Sequence, residues 1–249
     1  MALRRGAARP RSGARGRRSD RRVGVDSPVR RRRWLLFPLR FVHVNLGLAL
    51  FGFSIALMLR AGVGLGPWDV FHQGVSLRTP LTIGQAMIGA GFALLAFSAV
   101  VAKVRPGLGT VMNMVFIGAW VDLFLALPAV PQAHGWLDGA ALFGTGLVLN
   151  GVATGLYLTG GLGAGPRDGF ALALAKLLGV TVRRARTLVE VVVLTSGWLL
   201  GGTVGVGTLV FALAIGPLMQ GSLRLFAGLE RAYARRLAAP AERAGIRTE

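Results

Sequence analysis

The sequence predicts an all-α polytopic membrane protein of six transmembrane helices. They form two inverted three-helix repeats, each with a short helix after a Gly-x-Gly-Pro-x-Asp turn. Three observations predict this. First, 53% of the 249 residues are hydrophobic and only 16% charged, with a mean hydropathy of +0.58; a soluble reading would need an unusually large core. Second, six apolar stretches are long enough to cross a hydrocarbon layer of about 30 Å. Third, Gly64, Leu65, Gly66, Pro67, Trp68, Asp69 recurs 99 positions later as Gly163, Ala164, Gly165, Pro166, Arg167, Asp168, each time after a long apolar run.

Residues 1–40 form a separate Arg-rich segment. It holds 14 of the 29 Lys and Arg residues and almost no aliphatic periodicity, so it cannot bury enough surface to offset chain entropy and reads as disordered. The formal charge of +19 looks like a nucleic-acid signal, but its crowding ahead of the first span is the pattern of a cytoplasmic topology anchor that touches anionic lipid headgroups. The run Arg30–Arg33 before Trp34, Leu35 and Leu36 faintly resembles a twin-arginine export signal, yet Pro38 and Arg40 cut its apolar stretch short and no small-residue cleavage site follows.

The predicted spans are 41–61, 82–102 and 108–127 in the first repeat (41–128), and 139–159, 184–200 and 206–225 in the second (139–226). Stretches 67–77 and 166–178 are helical but reach only about 16 and 20 Å, too short to cross. They are re-entrant, interfacial or the first part of a broken span. Gly216 and Pro217 are expected to kink the last span, and residues 227–249 form a short basic tail. With the N-terminus cytoplasmic, the inside loops carry Lys103 and Arg105, then Arg167, Lys176, Arg183, Arg184 and Arg186. The outside loops carry only Arg60 and Arg78, which fits the positive-inside bias and places both termini in the cytoplasm.

The duplication reaches beyond the turn. At the same offset Gly47, Gly52, Gly62, Phe71 and Thr82 match Gly146, Gly151, Gly161, Phe170 and Thr181. At an offset of 98, Gly107, Gly109, Thr110, Ile117 and Gly118 match Gly205, Gly207, Thr208, Ile215 and Gly216. Three spans per half, an odd number, make the second copy enter from the opposite side of the membrane.

In the turn, Gly64 and Gly66 (Gly163 and Gly165) let the chain leave a helix through conformations closed to other residues, and Pro67 (Pro166) suits the first position of a new helix. Asp69 and Asp168 fall at the third helical position, where a carboxylate can accept backbone N–H groups. One reading is a helix-starting turn with an internal cap. The other is a pair of broken-helix sites bracketing a central cavity, with Trp68 and Arg167 making the two mouths chemically unequal. The second motif, Gly107, Gly109, Thr110 and Gly205, Gly207, Thr208, reads first as close helix packing with a threonine cap. Asp122 and Gln220 align at matching depth in the third span of each half, and an intramembrane carboxylate is costly enough to mark Asp122 as the leading single functional candidate, set against a structural role near the outer interface. Glu190 follows Arg186 by four residues, as in an ion pair. His43, His72 and His134 are scattered and have no metal-ligand spacing.

The stretch 163–169, then Arg186, Thr187, Leu188, Val189, Glu190, then Gly197, Trp198, Leu199, Leu200, Gly201, Gly202, Thr203, Val204, Gly205, Val206, Gly207, Thr208, and Ile215, Gly216, Pro217 closely resemble the YczE branch of the YitT/YczE family of bacterial integral membrane proteins. The resemblance covers about residues 41–226 and implies a fold and a cytoplasmic-membrane location. It supplies no catalytic residues. The Arg-rich head and the absence of a soluble C-terminal domain depart from many YitT members.

There is no Gly-x-Ser-x-Gly elbow, His-Glu-x-x-His or Gly-Lys-Ser/Thr, so a non-enzyme without cofactor or metal is expected. The leading functional expectation is a small-molecule or ion permease-like carrier; the alternative is a non-transporting membrane scaffold or regulator. Expected partners are the bilayer, anionic lipid headgroups and a small-molecule or ion substrate. A second copy of the chain is left open, and nucleic acid is not expected.

Overall fold

The computed structural model describes residues 37–103, 108–161 and 165–243. Among them every regular element is helical: α1 Phe37–Ala61, α2 Pro67–Arg78, α3 Ile83–Ala102, α4 Leu108–Ala126, α5 Trp136–Thr159, α6 Pro166–Leu178, α7 Val182–Leu199 and α8 Val206–Arg243. Four contain stretches long and apolar enough to cross a membrane: Phe37–Ala61, Ile83–Val101, Trp136–Thr159 and Val206–Leu229. Of the other two predicted spans, α4 is apolar over its described residues Thr110–Ala126, and the 18 residues of α7 include Arg183, Arg184, Arg186 and Glu190, all in its N-terminal half.

Local chemistry sets the boundaries. Pro67 and Pro166 occupy the first turn of α2 and α6, with Gly66 and Gly165 as N-caps in extended conformation. At the start of α3, Thr82 and Gln85 form a reciprocal capping box, with the Gln85 N–H donating to the Thr82 hydroxyl (3.1 Å) and the Thr82 N–H to the Gln85 carbonyl oxygen (3.0 Å). α1 is already helical at Phe37, four residues ahead of the predicted span, with Pro38 accommodated in the helix. Arg40 is thereby helical and donates from Nε to the Gly160 carbonyl (2.7 Å). The remainder of the Arg-rich segment lies outside the described residues. The tail expected after residue 226 continues α8 to Arg243, since its Ala, Leu, Arg and Glu residues are strong helix formers. α8 also runs without a break through Gly216 and Pro217.

α1 and α5 form the centre. They pack closely where the Tyr157 backbone faces Gly47 and where Ser54 and Met58 face Gly146. Asn150 Nδ2 donates to Ser54 Oγ between them (3.0 Å), an interhelical bond as expected for a polar residue facing the bundle interior. The remaining packing comes in matched sets: α4 lies on α1 and α8 on α5, α2 on α7 and α6 on α3, α2 on α3 and α6 on α7. α1–α4 crosses at Gly52 and Trp120, and α5–α8 crosses at Gly151 and Leu218, positions related by the two offsets of the duplication.

Candidate functional site

The two repeated turns come together. Gly66, Pro67, Trp68 and Asp69 line one side of a cavity of about 350 Å³, and Gly165, Pro166 and Arg167 line another. The guanidinium of Arg167 lies 4.8 Å from the centroid of the Trp68 ring, a cation–π contact between the two residues at the second variable position of the motif.

The first turn is held by the last helix of the opposite half. Gly64 has φ +119°, a conformation closed to residues with a Cβ. A Cβ there would also stand 2.8 Å from the backbone nitrogens of both Gly205 and Thr208. The Leu65 N–H donates to Thr208 Oγ1 (3.2 Å) and the Gly207 N–H to the Val63 carbonyl (2.8 Å). The second repeated motif of the second half therefore completes the first repeated motif of the first half. One turn further on, Gly66 lies against Phe211 of α8, and Gly165 against Asn113 of α4. Gly109 and Thr110 stand in the first turn of α4. Gly107, Gly163 and the side chain of Asp168 lie outside the described residues.

The internal cap expected at Asp69 does not form. The Asp69 N–H donates to the Gly66 carbonyl (2.9 Å), and no side-chain hydrogen bond closes the N-terminus of α2. Asp69 is 6% exposed, and its Oδ1 has no hydrogen-bond partner among the described residues. Of the nearby backbone groups, Pro67 offers no N–H, and the Asp69 and Val70 N–H groups both donate to the Gly66 carbonyl.

His72 was not singled out by spacing, yet it lines the same cavity beside Asp69. It is buried, and its Nδ1 has no partner among the described residues. Its ring is 6.0 Å from that of Trp68. The signal was present: positions 68, 69 and 72 share one face of a helix starting at Pro67. Asn150, Thr154 and Tyr157 of α5 and Asn113 of α4 add polar atoms to the wall.

Arg186 and Glu190 form the expected pair, Nε to Oε1 at 3.3 Å, and both line the cavity. Asp122 is placed differently. It accepts from the Thr82 hydroxyl and from the Gly84 N–H (2.8 Å), so it ties α4 to the start of α3 and is not part of the cavity wall. Gln220 is exposed on α8 and also outside that wall. Depth in a span made these two look equivalent; the side each helix presents separates them.

The cavity thus offers an aromatic surface, hydrogen-bonding amides and hydroxyls, and side chains of both charges. A carboxylate at a turn argues for cationic or neutral hydrogen-bonding ligands, while Arg167 and Arg186 add acceptor-seeking groups at the same wall.

A family model described as a family of unknown function (DUF6198) matches residues 38–223. The chain is 34% identical over 204 residues to the uncharacterized membrane protein YczE of Bacillus subtilis, covering 81% of this chain and 94% of the relative. It is 34% identical over 183 residues to an uncharacterized protein of Haemophilus influenzae, covering 73% and 82%. It is 27% identical over 183 residues to YyaS of Bacillus subtilis, covering 73% and 91%. No solved structure matches the chain.

Proposed function

The chain belongs to the DUF6198 family and is an integral membrane protein, and within that frame we propose that it is a permease-like carrier for a small molecule or ion. One observation carries the reading: two turns 99 residues apart line a single cavity and bring Trp68 and Arg167 together across it. Carriers built from inverted repeats bind at such a junction, where helices are interrupted and backbone groups are freed. The matched helix contacts support a two-fold related pair, because the axis exchanges α1–α4 with α5–α8 and α2–α7 with α3–α6, and three spans in each half would lay that axis in the membrane plane. On this reading the protein sits in the bacterial cytoplasmic membrane with both termini inside.

Purified protein is to be screened for thermal stabilisation by a panel of metabolites and ions, and each hit assayed for uptake into proteoliposomes. A stabilising ligand that is taken up, and is no longer taken up with Asp69→Asn or Arg167→Gln, is the expected result. Failure of every panel member to bind or move, or uptake indifferent to both substitutions, overturns the reading. Single cysteines at Leu65 and Ala164, in a chain with none of its own, test the topology separately. An impermeant thiol reagent is expected to label them from opposite sides of the membrane.

A further inference from the structure

The two halves differ at one seam. α4 lies along α3, but α8 has no comparable seam with α7. At the closed seam a Cβ on Gly118 would stand 2.5 Å from the Gly84 carbonyl oxygen, and Gly91 beds on the Met114 side chain. The Asp122 carboxylate latches the pair by accepting from the Thr82 hydroxyl and the Gly84 N–H.

The offsets of the duplication carry these positions to Thr181, Arg183 and Glu190 on α7 and to Ala212, Gly216 and Gln220 on α8. There the contacts are not made. A Cβ on Gly216 would meet nothing within 4 Å, whereas Gly118 is buried. Thr181, Arg183, Ala212 and Gln220 are all exposed. α8 has not rotated out of register, because Leu218 sits on Gly151 as Trp120 sits on Gly52. A glycine inside a helix is destabilising unless a close approach uses it. The duplication repeats Gly118 as Gly216, and in this structure only the first is used. Glu190 and Ala212 both line the cavity, so the gap between α7 and α8 is a mouth of that cavity.

We propose that this seam is a gate: α7 closes on α8 at Gly216, at a wider spacing than α3 on α4 because Arg183 carries a side chain where Gly84 has none, with Gln220 accepting at the Thr181 end of α7 as Asp122 does at Thr82, while the α3–α4 seam opens in exchange. The proposal rests on the inverted-repeat reading of the previous section. It explains which seam is shut here, since hydrogen bonds to a carboxylate are roughly twice as strong as those to a neutral amide. The charged latch holds and the neutral one is released. With the N-terminus cytoplasmic, the open mouth faces the cytoplasm. α7 has a fixed end to pivot on: its last turn is tied to α2 through the Gly74–Gly197 contact, and the following loop through the Thr203 N–H, which donates to Gln73 Oε1 (2.7 Å).

Spin labels on cysteines at Arg184 and Arg224, both exposed, in the otherwise cysteine-free full chain in lipid nanodiscs report the α7–α8 gap by double electron–electron resonance. The expected distribution has a main distance and a minor, shorter one. Asp122→Asn should raise the shorter fraction about tenfold, the effect of losing one charge-assisted bond, and Gln220→Ala should remove it. Thr82→Val breaks the same latch and serves if Asp122→Asn does not fold. A single distance unmoved by either latch variant overturns the gate, even if uptake is found. A responsive short distance without any uptake sustains the gate and counts against the permease.

Discussion

Replacing Gly64 with alanine tests whether the repeated turn is locked by the opposite half. At φ +119° a side chain is strained whatever the space around it, and a left-handed conformation alone costs about 1–2 kcal/mol. The added Cβ would also stand 2.8 Å from the Gly205 and Thr208 nitrogens and 2.9 Å from Thr208 Oγ1. Two of those three atoms are backbone, so the turn must draw back from α8. Retreat strains or breaks the bonds Leu65 N–H to Thr208 Oγ1 and Gly207 N–H to Val63 O, each contributing roughly 1 kcal/mol. The expected destabilisation is therefore about 3–4 kcal/mol. Gly89 is the control: it is an exposed position within α3 where a Cβ would meet nothing within 4 Å, so Gly89→Ala should stabilise by about 0.5–1 kcal/mol through helix propensity. Thermal unfolding of both purified variants in one detergent gives the comparison. Gly64→Ala as stable as the parent, or Gly89→Ala equally damaging, would refute the interlock.

Three further outcomes follow from named contacts. Thr208→Val removes the acceptor of the Leu65 and Gly205 N–H groups and should cost about 1–2 kcal/mol, while Thr208→Ser should recover most of it in the same melting assay. A double-mutant cycle of Trp68→Leu with Arg167→Met should give a coupling of about 0.5–2 kcal/mol from their 4.8 Å contact; additive effects would mean that the two motifs touch without interacting. Arg186→Gln, which breaks a half-exposed ion pair, should change stability by less than about 0.5 kcal/mol, and any large loss would show that the pair bears on packing.

Much of the helix order was legible because its signals are local. Pro67 and Pro166 announce new helices wherever they sit, and α2 and α6 begin at them. Thr82 followed by Gln85 starts α3 by short-range bonding. Features that depend on which residues meet across the bundle were not legible. Asp122 looked like a pathway carboxylate because burial of an unpaired charge is costly, but its partners are the Thr82 hydroxyl and the Gly84 N–H, some 40 positions away in sequence. In the sequence His72 is one of three scattered histidines, yet it stands one turn beyond Trp68 on the cavity face. The α7 span was counted from its apolar residues, yet its N-terminal charges have a use: Arg186 and Glu190 turn inward to the cavity.

The interlock also bears on why the two short motifs recur as a pair. A Gly-x-Gly-Pro turn leaves backbone groups that no helix satisfies, and inside a membrane each such group is costly unless another part of the protein supplies a partner. Here the partner for Leu65 N–H is the Thr208 hydroxyl, and the carbonyl of Val63 is met by the Gly207 N–H. The Gly-x-Gly-Thr motif is shaped for this task, since a Cβ at Gly207 would crowd the Val63 and Gly64 carbonyl oxygens at 3.0 Å. Neither the first turn nor the start of α8 is complete within its own half. A mutation in the first turn is therefore expected to be felt at the start of α8. The same coupling places the cavity at their junction, where Trp68 of one half meets Arg167 of the other.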